Sequence, residues 1–212
     1  TGAHARMGAT DVCPFVPVSG VTMADCVEIA KKVGKRVAEE LHIPIYLYAE
    51  AAARPERYRL PDIREGEYEA LPEKLKREDF KPDFGEPVFN PRSGATVVGA
   101  RGFLIAYNVN LNTRNVKIAN KIAKQLREKG RTVTDKETGT KVQVPGILQG
   151  VQGVGWYIPQ YNMAQISYNI LDYKVTPIYK VFDESVALAG ELGTRVTGSE
   201  IVGMVPLEAM LE

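Results

Sequence analysis

Apolar positions along the chain change period several times, and each change marks an element. Residues 11–18 form an apolar run broken by Pro14 and Pro17, the pattern of a strand at a sheet edge or a bulge, because proline cannot donate to a ladder. Met23, Cys26, Val27, Ala30, Val33, Gly34, Val37, Ala38 and Leu41 then recur at helical spacing, leaving Lys31, Lys32, Lys35, Glu39 and Glu40 for solvent. Thr22 and Asp25 pair as an N-terminal cap, and Pro44 ends this helix. Ile43 to Ala49 is short, apolar and aromatic, as a central strand would be, so the chain opens on a strand–helix–strand crossover. Residues 51–63 are rich in proline and in arginine, whose forks could meet an acidic substrate, but they predict first a solvated loop with nearby glutamate partners. Residues 66–77 predict an amphipathic helix interrupted by Pro72. From Asp79 to Gly102 the pattern dissolves into Pro82, Gly85, Pro87, Pro91, Gly94, Gly99 and Gly102. An irregular stretch of that length serves function or connects domains.

The second half is more regular. Phe103 to Leu111 alternates as a strand, and Val116, Ala119, Ile122, Ala123 and Leu126 predict a helix over 115–129 stopped by Gly130. Residues 131–145 are polar and predict an exposed hairpin or mobile loop. Residues 148–158 and 163–171 predict two strands joined by a turn at Pro159–Asn162. Thr176 and Pro177 predict a cap and first turn of a helix to about Leu192, and residues 195–198 a last strand. This order is βαββαβ, the ferredoxin-like pattern. The fold class is therefore α/β (α+β), with two subdomains, each a mixed sheet carrying helices. The boundary falls between residues 102 and 103, and the second subdomain is expected to be incomplete at its end.

Composition narrows the function. A net charge of +1 with acids and bases intermixed lacks the concentrated basic face of a nucleic-acid binder. No apolar run approaches the roughly 20 residues of a membrane span, so the expectation is a protein without membrane or nucleic-acid partners. Cys13 and Cys26 lie in an apolar strand and on the apolar side of a helix; both read as small core residues of a reducing, cytoplasmic setting, with no metal-ligand cluster. Gly150, Gly153 and Gly155 lack the lysine and the strand-to-helix context of a phosphate loop, and predict a bulge or close packing, with Trp156 as core or pocket wall.

The candidate chemistry lies at the start. Of the two histidines, His42 falls at a helix C-terminus, structural or merely exposed, whereas His4 stands beside Arg6, Gly8 and Asp11 on a loop leading into a strand. Imidazole can take and return a proton near neutral pH, which makes His4 the acid/base candidate. Asp11 could orient it or shape the loop.

The words His4-Ala5-Arg6-Met7-Gly8-Ala9-Thr10-Asp11-Val12-Cys13-Pro14-Phe15, Ile45-Tyr46-Leu47-Tyr48-Ala49-Glu50-Ala51-Ala52, Arg64-Glu65-Gly66-Glu67-Tyr68-Glu69-Ala70-Leu71, Pro82-Asp83-Phe84-Gly85, Gly94-Ala95-Thr96-Val97-Val98-Gly99-Ala100-Arg101 and Val202-Gly203-Met204-Val205-Pro206-Leu207 occur in order. Together they resemble glutamate formimidoyltransferase and the transferase half of formimidoyltransferase-cyclodeaminase, over nearly the whole chain. The resemblance implies transfer of the formimino group of N-formimidoyl-L-glutamate to N5 of tetrahydrofolate, a co-substrate, in histidine degradation. It implies His4 as catalytic acid/base, and Gly85, Glu86, Pro87, Val88, Phe89, Asn90, Pro91, Arg92, Ser93 and Gly94 as the folate-binding segment, with tetrahydrofolate between the subdomains. Both substrates carry carboxylates, for which Arg6 and Arg101 are candidate contacts, with Arg92 on the folate segment. The family is dimeric and needs no metal, and its members extend beyond both ends of this stretch, so a fragment is expected. Ala3 and Ala5 stand where the family has glutamate and proline. That departure keeps two alternatives in view: a formyl-transferring relative, and a non-catalytic folate- or acid-binding module.

Overall fold

The computed structural model describes residues 5–135 and 138–211. The chain divides into two compact units, 1–102 and 103–212. The first contains β1 (Val12–Phe15), α1 (Met23–Leu41), β2 (Ile45–Ala49), α2 (Leu60–Ile63), α3 (Glu67–Lys74) and β3 (Thr96–Ala100). Its three strands run parallel in the order β1-β3-β2, and an antiparallel bridge from Ile45 to Phe84 extends the sheet. The proline-bearing β1 is an edge, as its sequence predicts.

α1 begins with a complete capping box: the Thr22 hydroxyl accepts from the Asp25 amide, and the Asp25 carboxylate accepts from the Thr22 amide. Those bonds hold the Asp25 carboxyl below its ordinary range. The helix buries Cys26, Ala30, Gly34 and Ala38. Ala30 and Ala38 pack with Ile45, Leu47 and Val98 on one face of the sheet; Met7, Tyr46, Tyr48, Ile63, Leu71, Leu75 and Val97 fill the other. A sheet covered on both faces needs unbroken apolar strands rather than alternating ones.

This explains the largest correction. The stretch 79–102 is not irregular throughout, because its end forms β3, the central strand, with all five residues buried. Gly99 breaks the apolar run because a Cβ there would lie 2.4 Å from the Tyr48 ring and carbonyl oxygen. Residues 51–63 are likewise more ordered than a solvated loop: they hold a 3₁₀ turn at Pro55–Arg57 and α2.

The second unit contains β4 (Ile105–Leu111), α4 (Val116–Leu126), β5 (Arg131–Thr134), β6 (Lys141–Val144), β7 (Val151–Ile158), β8 (Met163–Ile170), α5 (Ile178–Glu191), β9 (Val196–Val202) and the short α6 (Glu208–Leu211). The antiparallel sheet β7-β8-β4-β9, with α4 and α5 sharing its core, is the expected βαββαβ arrangement. The β5–β6 hairpin is inserted between α4 and β7, where the polar stretch predicted it. Mixing of strand directions is thus slight in the first sheet and not seen among the described strands of the second.

Three boundaries move. α4 ends at Leu126, three residues early, because Arg127 turns extended and bridges Leu148. Thr176 is not the cap of α5: Pro177 takes that position, and the Thr176 hydroxyl donates to the Gln149 carbonyl at 2.7 Å. β9 runs on to Val202. Gly155 allows the close packing expected of it, since a Cβ there would lie 2.4 Å from the Asn120 amide nitrogen. Trp156 donates to Gln165 Oε1 at 2.7 Å, while Gln165 Nε2 donates to Asn110 at 2.7 Å and Glu200 at 2.6 Å, a polar network linking all four strands. No described helix is long and apolar enough to cross a membrane.

Candidate functional site

The loop before β1 is shaped by Asp11. Its Oδ1 accepts the Met7 amide at 2.8 Å and its Oδ2 pairs with Arg64, while the Met7 side chain is buried in the core. Asp11 therefore has two partners on its own account. His4 lies outside the described residues, and the site is built here from Ala5 onward.

This loop is stitched to the end of the 85–94 segment. The Ala9 amide donates to the Ser93 carbonyl at 3.0 Å, the Ala95 amide donates to the Met7 carbonyl at 3.1 Å, and Gly8 bridges Gly94. Both residues at the crossing are glycine for a steric reason. A Cβ on Gly94, whose φ is 66°, would lie 2.2 Å from the Met7 carbonyl oxygen, and one on Gly8 would lie 2.3 Å from that of Ser93.

The segment itself is a turn held by Asn90. The Asn90 side-chain oxygen accepts the Arg92 and Ser93 amides at 3.0 Å, and its carbonyl accepts the Gly94 amide at 2.7 Å. Where the segment begins, the half-buried Asp83 pairs with the buried Arg57 at 2.8 Å and accepts the Leu47 amide at 2.7 Å, and Arg57 also donates to the Lys81 carbonyl at 2.5 Å. This ion pair, with hydrogen bonds on both members, fixes backbone direction beside the single bridge that joins Phe84 to Ile45 of the sheet. Arg54 donates to the Asp79 carbonyl at 3.2 Å. The arginine cluster, read from the sequence as a solvated loop with glutamate partners, is thus largely spent inside the unit, on aspartates and carbonyls.

Between this segment and the C-terminal half of α1 lies a groove of about 790 Å³. Gly85, Glu86, Val88, Phe89, Asn90, Pro91 and Arg92 line one side; Lys35, Ala38, Glu39 and His42 line the other. Pro87, Ser93 and Gly94 do not line it, Gly94 being buried against the loop. Phe89 offers an aromatic face, itself backed by Tyr68 with ring centroids 5.4 Å apart. The α1 side went unread in the sequence, although Lys35, Ala38, Glu39 and His42 recur at helical spacing and so share a face. His42 also closes α1 in a left-handed conformation (φ 53°), so its position serves both cap and groove.

Arg6 and Arg101 differ. Arg6 donates to Glu67 at 2.8 Å and to both carboxylate oxygens of Glu69, at 2.5 and 3.2 Å. The pairing holds the Glu69 carboxyl below the ordinary glutamate range, chiefly through the hydrogen bond from Arg6, and raises the guanidinium in turn. Arg101, half-buried after β3, donates to the Gly102 carbonyl at 2.8 Å and lies beside Tyr48. Burial pushes the Tyr48 hydroxyl up, and Arg101 opposes that shift. Among the described residues no group of three or more His, Cys, Asp or Glu side chains is placed to hold a metal ion, and both cysteines are free thiols.

Comparison with known proteins gives one family throughout. The formiminotransferase domain, N-terminal subdomain, matches residues 1–101, and the formiminotransferase domain matches residues 106–212. The chain is 53% identical over 211 residues to a formimidoyltransferase-cyclodeaminase of Mus musculus, covering 100% of this chain and 37% of that protein. It is 45% identical over 213 residues to a glutamate formimidoyltransferase of Thermoplasma acidophilum and 41% over 211 to one of Streptococcus pyogenes, covering 65% and 66% of their lengths. The chain thus spans about a third of the first kind of relative and just under two thirds of the second.

Proposed function

Because the chain belongs to the formiminotransferase family, we propose that it carries the transferase chemistry of glutamate formimidoyltransferase: the formimino group of N-formimidoyl-L-glutamate passes to N5 of tetrahydrofolate, in histidine degradation. The observation that carries the reading is the crossing of Gly8 and Gly94, which ties the loop following His4 to the end of segment 85–94, most of whose residues line the groove. An acid/base loop and a cofactor-sized groove joined by backbone bonds support a two-substrate reaction that depends on relative placement.

In this reading N5 attacks the amidine carbon and a C–N bond forms. His4 takes the proton that N5 loses and returns it to the glutamate nitrogen as the old C–N bond breaks, so no net proton is consumed. Segment 85–94 takes the folate, its rings against Phe89, with Arg92 at the rim for a carboxylate. Arg101 is the candidate contact for a donor carboxylate. A homodimer working in the cytoplasm follows from the family resemblance.

The test is conversion of N-formimidoyl-L-glutamate and tetrahydrofolate to 5-formimidoyltetrahydrofolate by the chain and by its His4→Ala variant. Turnover in the first, reduced about 100- to 10,000-fold in the second, is expected. Saturable folate binding without turnover would instead point to a fragment or a binding module, and equal use of N-formyl-L-glutamate would make the donor a formyl group.

A further inference from the structure

Gly66 and Glu67 both have positive φ, 78° and 57°. The left-handed region suits glycine, whereas for glutamate it crowds Cβ against the backbone. A glycine at 67 would serve this turn better, so the side chain is retained for something else. Its contact is plain: Glu67 Oε2 accepts from Arg6 Nη1 at 2.8 Å, and Glu69 takes the other side of the same guanidinium at 2.5 Å. Tyr68, between them, donates its hydroxyl to the Pro91 carbonyl at 2.7 Å and backs Phe89, with the Arg6 guanidinium 6.0 Å from its ring centre. One turn of α3 thus grips the loop of Arg6 through two carboxylates and the 85–94 segment through one tyrosine.

We propose that Glu67, Tyr68 and Glu69 form a positioning device that sets the His4 loop in register with the folate segment, and that Arg6 is its handle rather than a substrate contact. This rests on the reading of His4 and segment 85–94 given above. Arg6 follows His4 by two residues, at most about 7 Å of chain, so slack at Arg6 becomes slack at the acid/base group. A misplacement of about 1 Å costs a reaction roughly 100-fold. The planar arginine fork meets Glu67 and both oxygens of Glu69 in a fixed geometry, whereas a lysine ammonium is a compact point charge without that fork.

The strained turn offers a variant that separates positioning from support. Glu67→Gly relieves the backbone while removing the carboxylate. Expected are an unfolding midpoint that is unchanged or raised, faster exchange of the Ala9 and Ala95 amides by nuclear magnetic resonance, and a kcat reduced about 10- to 100-fold with the KM for tetrahydrofolate little changed. Glu67→Asp, which keeps a carboxylate and enters the left-handed region more readily, should restore part of kcat. A midpoint falling in step with activity would reduce the device to structural support and overturn the proposal. So would a raised KM for N-formimidoyl-L-glutamate at unchanged kcat, which would make Arg6 a donor contact. If the wild-type chain turns nothing over, the amide exchange alone decides: unaltered protection of Ala9 and Ala95 in Glu67→Gly would overturn the device.

Discussion

In the first unit three parallel strands are covered on both faces, and long loops leave them to return from far along the chain; in the second, antiparallel strands carry two helices on one face, and β7 turns directly back into β8. The difference lies in what holds the backbone. The second unit repeats its pattern along every strand, so local periodicity and hairpins specify it. The first has loops paired only through single bridges, and it fastens them as well with polar pairs far apart in sequence: Arg57 with Asp83, Arg64 with Asp11, Arg6 with Glu67 and Glu69. Loops held in that way can present backbone and side chains to a ligand without collapsing onto the core.

The strongest way to break this contrast is to remove one fastening. Asp83→Ala leaves the buried Arg57 charge and the Leu47 amide without their partner, and should destabilise the protein by about 3–5 kcal/mol, read as a denaturant midpoint. Asp83→Asn keeps an acceptor and should lose less. A loss under about 1 kcal/mol for Asp83→Ala would show that the loop is held by other means. A smaller effect is expected in the second unit. Gln165→Ala removes a side chain that is 1% exposed and bonds Trp156, Asn110 and Glu200, and should cost about 1–3 kcal/mol in the same measurement. If Gln165→Ala proved the costlier of the two, the second unit would depend on polar fastening as much as the first.

The same contrast explains what could be read from the sequence. α1 and its capping box were legible because Thr22, Asp25 and the apolar face all follow local rules. The βαββαβ order was legible because each strand and helix in it has its own period. β3 was not, since a strand buried on both faces has no alternation and Gly99 interrupts even its apolar run. Nor could spacing show that Asp11 is engaged by Met7 and Arg64, or Arg6 by α3, because those partners lie up to 63 residues away. The assignment of segment 85–94 to folate rests on resemblance alone; its irregular composition suggests only a binding loop. Thr176 misled because a threonine before a proline fits a cap equally well one position off.

The central claim is that the irregular segment of the first unit takes the folate. It is tested most directly by hydrogen exchange of the whole chain, followed by mass spectrometry, with and without saturating tetrahydrofolate under reducing conditions. The account predicts slowed exchange over 84–95 and in the 5–9 loop that Gly94 and Ala95 engage, with the hairpin 131–144 unchanged. Slowed exchange confined to 103–211, with 84–95 unaffected, would contradict it.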